Sequence, residues 1–290
     1  MGIENNKFDV IISVGWRDFI IVKKTVKYIQ KNICPESIYL ILKKKAFHFF
    51  NQKYCNNNHV ILIDEDQLLS DLSFQEVRIA MQKAGIGDFP TGWYFQQFLK
   101  MGFAFSKYAK QKYLIWDADT LPINKLSFLN RNHILFTPKT EYHQPYFELI
   151  KNMLGFSKKV DYSFIAEHMM IETSIMQELI TIIGQVKSEG SSWYEKILYS
   201  VDKNAANGFS EFETYGTFCT YKYPDLYQPQ LLNTYRDAGK VYGRCITRHE
   251  IDNLSKIYDT ISLELRDVPP FPRNIYNIMQ KLVLSWYRKK

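Results

Sequence analysis

Two aspartates one residue apart, Asp117 and Asp119, close a short apolar run in Tyr-Leu-Ile-Trp-Asp-Ala-Asp-Thr-Leu-Pro, residues 113–122. Carboxylates this close repel and raise each other's pKa unless a cation or hydrogen-bond donors compensate. A hard divalent ion, which also takes water and phosphate oxygens, is the natural compensation. A divalent metal ion is therefore the expected cofactor. The plainer alternative has Asp117 capping the next turn and Asp119 solvated. A second acidic pair, Glu211 and Glu213, lies in Ser-Glu-Phe-Glu-Thr-Tyr-Gly, residues 210–216. A carboxylate can take the proton of an attacking hydroxyl. Ser210 reads as a helix N-cap with Glu213 at the third position, so a capping box competes for Glu213 and leaves Glu211 the better base.

These residues need elements to place them. Phe8–Val14 is apolar and β-branched and reads as a buried strand. After the turn at 15–18, Phe19, Val22, Val26, Ile29 and Ile33 recur at helical spacing. Residues 37–42 and 59–63 are further short apolar runs, and 66–84 turns helical again. A Gly/Pro loop over 85–92 opens a helix over 93–108, in which Trp93, Gln97 and Lys100 share one face. Tyr94, Phe98, Met101 and Phe105 form a neighbouring apolar face suited to the core. The strand over 113–116 then delivers the aspartates at its carboxyl end. Beyond it, 133–137 and 162–171 read as strands, and 173–183, 191–201 and 210–221 as helices. Such alternation predicts an α/β fold with a mainly parallel central sheet flanked by helices, where ligands bind beyond the carboxyl ends of the strands.

At 290 residues with 46% apolar and 23% charged composition, the chain can bury a substantial core, which excludes the disordered class. Its 13 glycines and 10 prolines are too few for collagen-like or low-complexity chains. The net charge of +7 suits an anionic partner of any kind, a nucleotide or a membrane included. No RNA- or DNA-binding motif accompanies it, so nucleic acid is not expected. Cys34, Cys55, Cys219 and Cys245 form no CxxC pair, and free thiols in a reducing cytosol are expected. The opening residues MGIENNKFDVIISVG do not read as a signal peptide, and no apolar run reaches the roughly 20 residues that span a bilayer.

Two enzyme groups use the local pattern of residues 113–122. Haloacid-dehalogenase phosphatases place it on their first strand with Asp117's counterpart as nucleophile, followed by a DD or GDxxxD pair. Here three strand–helix alternations precede it and neither pair follows. The order is that of DxD glycosyltransferases of the GT-A type. With Gly92–Met101 (GWYFQQFLKM) and Ser210–Gly216 (SEFETYG), the chain resembles bacterial glycosyltransferase-like families of capsule and lipopolysaccharide synthesis over roughly residues 8–245.

The resemblance implies a Rossmann-like GT-A domain over 1–246 and a helical extension over 247–290. It implies a nucleotide-diphosphate sugar donor and a glycan or lipid-linked saccharide acceptor. Val14, Arg17 and Asp64 would hold the nucleotide, with Trp93, Gln97 and Lys100 also toward the donor. Asp119 would be the direct ligand of Mn²⁺ or Mg²⁺, and Asp117 would bind the metal through water or contact the ribose. His249 would complete the metal shell and His168 would face the donor sugar, although a lone histidine is more often a structural hydrogen-bonder. An available glutamate implies inversion. Rival readings are a phosphatase with Asp117 as nucleophile and a non-catalytic sugar-nucleotide or glycan-binding module. Residues 274–290 put Ile275, Ile278, Met279, Leu282, Val283 and Trp286 at helical spacing ahead of Tyr287-Arg288-Lys289-Lys290. That suits either packing on the domain or an interfacial helix on an anionic membrane. The expected location is cytoplasmic, with the inner face of the plasma membrane as the place of attachment.

Overall fold

The computed structural model describes residues 7–87, 90–130, 133–205 and 207–289, with side chains described as far as residue 286. Residues 1–6 of the leader reading, Asp88 and Phe89 of the Gly/Pro loop, and the side chains of the basic end at 287–290 lie outside that set.

The first half of the chain runs β1 (Asp9–Ser13), α1 (Val22–Asn32), β2 (Ile38–Leu42), α2 (Gln52–Asn57), β3 (Val60–Asp64), α3 (Phe74–Lys83), α4 (Thr91–Gly102), β4 (Lys112–Trp116) and β5 (Thr120–Pro122). It continues with β6 (Leu129–Asn130), β7 (His133–Phe136), α5 (Gln144–Leu154), β8 (His168–Glu172), α6 (Thr173–Gln185), α7 (Trp193–Ser200) and α8 (Glu211–Lys222). Last come β9 (Tyr227–Pro229), β10 (Thr234–Tyr235), α9 (Ala238–Tyr242), α10 (Arg248–Leu254), β11 (Thr260–Ser262) and α11 (Arg273–Lys289).

The fold is mixed α/β, with a mainly parallel central sheet in the order β3-β2-β1-β4-β8. β1 and β2 pair in parallel, and every residue of both is buried. Strands covered on both faces need continuous apolar runs, which is why Asp-Val-Ile-Ile-Ser and Ile-Tyr-Leu-Ile-Leu show no alternation. Two small sheets, β10-β11-β5 and β6-β7-β9, accompany it.

The chain divides into two compact units. The first holds Met1–Leu62, Trp116–Ser127 and Leu231–Lys290. Its core includes Ile21, Leu121, Ile246, Ile251, Ile261 and Leu263. The second holds Ile63–Ile115 and Phe128–Gln230. There Phe98 of α4 packs edge-on against Trp193 and tilted against Tyr194 and Phe209. Residues 247–290 thus fall within the first unit.

Three elements differ from their sequence expectation. The strand expected over 162–171 is confined to His168–Glu172. Ahead of it, Ser163 exchanges backbone hydrogen bonds with Lys139, and the Phe164 amide donates to the Glu213 carboxylate at 2.8 Å. These donors are therefore taken away from the ladder. The helix expected over 66–84 begins only at Phe74. Ser73 caps it, and the Asp66 carboxylate accepts the Phe74 amide at 2.8 Å. The helix expected over 93–108 is α4, which tightens to a 3-10 turn at Phe103–Phe105. The tighter winding carries Phe105 off the apolar face, and it is 48% exposed.

Candidate functional site

The aspartate-bearing turn between β4 and β5 is held at each of its carbonyls. Asp117 O accepts the Thr120 amide at 3.3 Å, and Ala118 O accepts the Thr25 hydroxyl of α1 at 2.6 Å. Asp119 O accepts the Leu263 amide at 2.9 Å, and Thr120 O accepts the Trp116 indole N–H at 2.7 Å. β5 then pairs antiparallel with β11 in the register Thr120↔Ser262, where the two hydroxyls lie 2.8 Å apart. Four carbonyls with named donors make this turn rigid, as a preorganised charge site requires.

Around it the charges are unbalanced. Asp119 is pushed well above the usual carboxylate range, first by removal from water, then by the Asp18 and Asp117 carboxylates, with Arg244 opposing and Glu264 adding to the rise. Asp18 is also raised by burial, although Arg244 and Arg17 pull against it. Of the four carboxylates, Asp18 is paired with Arg244 and Glu264 with Arg266, while Asp117 and Asp119 stand one residue apart on the turn. Arg244 is the structural cation of the set. Its side chain is wholly buried, donating to Leu263 O at 2.9 Å, to Arg17 O at 2.6 Å and to Asp18 Oδ1 at 2.6 Å. The residue follows Gly243, whose φ of +60° turns the chain in a way that favours glycine. Lys24 holds the carbonyls of Arg244 and Ile246 from α1.

The adjacent carboxylates of Asp117 and Asp119 are hard oxygen donors that suit a divalent cation. Among the described residues no group of three or more His, Cys, Asp or Glu side chains is placed to hold one. A cation at Asp117 and Asp119 would therefore complete its shell from water and phosphate oxygens. His249 sits exposed near the start of α10, where its Nε2 meets Asn253 Nδ2 at 3.2 Å.

Asp119 also sets a pH dependence. Its folded pKa lies above the unfolded value, so its contribution to stability is full below 3.8 and lost as pH rises through the folded value. Urea midpoints of the wild type should accordingly fall relative to Asp119→Asn as pH rises across that window. Parallel midpoint-against-pH curves for the two proteins would contradict this placement of Asp119.

The remaining candidates sit as follows. Val14 is buried and donates its amide to Ile41 O. The exposed Arg17 guanidinium lies over the Trp16 ring. Asp64 ends β3 and accepts the Asp66 amide. In the second unit, the Lys100 ammonium is bonded to Glu211 at 2.9 Å and lies over the Phe212 ring. Gln97 Oε1 accepts the Glu211 amide at 3.0 Å, and Trp93 packs edge-on against Tyr94. Ser210 does cap α8 through the Glu213 amide. The Glu213 carboxylate, however, turns to the Phe164 amide and lies 3.6 Å from the Lys158 ammonium instead of closing a capping box. Gly216 follows from the same packing, since a Cβ there would stand 2.1 Å from the Phe164 ring. His168 is buried, with Nε2 2.9 Å from the Thr137 hydroxyl.

Sequence reading passed over Asp18, Glu264 and Arg244. Asp18 directly follows the Arg17 that was singled out. Arg244 had a faint signal as a cation between Gly243 and the apolar pair of Cys245 and Ile246.

A family described as a family of unknown function, DUF6492, matches residues 15–244. The chain belongs to that family. The DUF6492 match opens at Gly15, three residues before Asp18, and closes at Arg244, so it takes in the charged groups of the cluster except the Glu264–Arg266 pair. No curated protein matches the chain. Similar solved structures include apo mouse xyloside xylosyltransferase 1, 9% identical with a TM-score of 0.45, covering 92% of this chain and 99% of that one. The apo bifunctional glycosyltransferase WbbM is 12% identical with a TM-score of 0.46, covering 98% of this chain and 52% of that one. The galactosyltransferase LgtC, with donor and acceptor sugar analogs, is 9% identical with a TM-score of 0.42, covering 96% and 95%. At such identities the reaction has to be argued from the chemistry of the site.

Proposed function

We propose that the chain is a metal-dependent glycosyltransferase that moves a sugar from a nucleoside-diphosphate donor to a saccharide or lipid-linked acceptor in surface polysaccharide synthesis. The observation that carries this reading is the turn bearing Asp117 and Asp119, held at four carbonyls, where burial and the neighbouring carboxylates disfavour the ionised form of Asp119 and a bound cation would favour it. The resemblance of residues 113–122 and 210–216 to DxD transferases supports it.

Asp119 and Asp117 would hold Mn²⁺ or Mg²⁺, which when bound supplies charge stabilisation to a departing diphosphate. Arg244 opposes the rise that burial gives the Asp18 carboxyl and bonds it in place, and the four held carbonyls keep the aspartates from relaxing toward solvent. Glu211 is the proposed base for the acceptor hydroxyl, and inversion follows from that role. Indistinguishable initial rates for Glu211→Gln and wild type would remove it.

The test is a thermal-shift comparison of nucleoside diphosphates with and without Mn²⁺. Ligand at a hundredfold its Kd stabilises by about 2.7 kcal/mol. One nucleotide should raise the melting temperature only with metal present, and Asp119→Ala should abolish the rise. No metal-dependent shift with any nucleotide, or phosphate release from small phosphoesters with Asp117 trapped as an aspartyl phosphate, would overturn the reading.

A further inference from the structure

Helix α11 is turned the wrong way round for a helix that packs on a core. Among its described side chains the buried ones are Asn277, Gln280 and Leu284, and the first two are polar. Its apolar residues Ile275, Ile278, Met279, Leu282, Val283 and Trp286 are all exposed, Leu282 at 67% and Met279 at 60%. At 100° per residue these six fall within an arc of about 140°, so they form one unbroken stripe. Scattered exposed apolar residues need no explanation, but a contiguous stripe marks an interaction surface.

On the side facing the protein, Asn277 has partners. Asn277 Oδ1 accepts the Arg244 amide at 3.2 Å, and its Nδ2 donates to Asp267 O at 3.2 Å. These bonds fix the rotation of the helix about its axis. The apolar stripe is thus held outward by side-chain hydrogen bonds and cannot roll inward without breaking them.

Charge selects the occupant. Residues 273–290 contain Arg273, Lys281, Arg288, Lys289 and Lys290 and no Asp or Glu. Arg273 is paired with Glu250 of α10. Two such helices brought together would repel, which disfavours a second copy of this chain. An apolar stripe with an aromatic residue and basic flanks matches a bilayer interface, where the stripe enters the acyl boundary and the cations meet anionic headgroups. No helix among the described residues is long and apolar enough to cross a membrane, so the helix would lie in the interface. We propose that the Ile275–Trp286 stripe of α11 docks the protein on the surface of an anionic phospholipid bilayer. The proposal does not depend on the sugar-transfer reading.

Co-sedimentation of the full chain with vesicles tests it. Vesicles of phosphatidylcholine containing phosphatidylglycerol should pellet the protein, those of phosphatidylcholine alone far less, and added salt should release it. Leu282→Glu should weaken binding at least about tenfold, through lost apolar burial and added repulsion. Lys281→Ala should weaken it about fivefold, the loss of one basic charge near the surface. Both positions lie outside the core, and an unchanged melting temperature would confirm an intact fold. Protein left in the supernatant with both vesicle types at low salt would overturn the proposal, as would undiminished binding by Leu282→Glu. A concentration-dependent dimer abolished by Leu282→Glu would overturn it in favour of a second copy.

Discussion

Arg244→Met is expected to cost about 3–5 kcal/mol of unfolding free energy, because it removes one partner of a buried charge pair and leaves the other uncompensated. The Arg244 guanidinium reaches three acceptors on two separate stretches of chain: Arg17 O and Asp18 Oδ1 after β1, and Leu263 O after β11. Methionine fills much of the volume but returns none of the hydrogen bonds. Arg244→Lys should recover little, since a single ammonium cannot reproduce a planar fork that spans three oxygens. Removing the guanidinium also withdraws the charge that opposes the rise of both Asp18 and Asp119. The loss should therefore grow as pH rises and these carboxylates ionise. Urea melts across pH provide the check, and a cost below about 1 kcal/mol, the value of an exposed pair, would show that the cluster is not organised around Arg244.

Lys100→Met should be of similar size, about 3–5 kcal/mol, for the same reason in the other unit. Lys100 and Glu211 meet at 2.9 Å with side chains 11% and 6% exposed, and the ammonium also lies over the Phe212 ring. Glu211→Gln leaves a neutral amide that can still accept a hydrogen bond from Lys100 and should cost less. Lys100→Met combined with Glu211→Leu removes both charges, and replacing a buried pair by apolar side chains is often close to neutral. A double-mutant cycle by urea melts should accordingly show strong coupling. Simple additivity of the two single variants would mean that the pair contributes nothing as a pair. The same cycle separates roles for Glu211: a variant that keeps its stability and loses transfer has lost a base, and one that loses both has lost a strut.

The parts legible in advance were those whose cause is local. Asp-Val-Ile-Ile-Ser has to be a covered strand wherever it goes. Ser210 has to cap the helix it precedes, and the Ser210–Glu213 bond is there. The two aspartates one residue apart after a strand announce a charge site whatever stands behind them. Short elements failed for a physical reason. β5, β10 and β11 are two or three residues long, too short to carry a period, and exist because distant segments offer them backbone partners. The stretch at 162–167 had strand composition and lost its ladder to Lys139 and Glu213.

Charge partnership was the larger matter that spacing could not reach. Lys100 and Glu211 are 111 positions apart, and Arg244 and Asp18 are 226 apart. Their attraction depends on distance through space and on exclusion of water, which no one-dimensional pattern encodes. The same holds for α11, whose periodic apolar residues were plain in the chain. Periodicity says that a helix has an apolar side; only the hydrogen bonds of Asn277 decide that this side faces out.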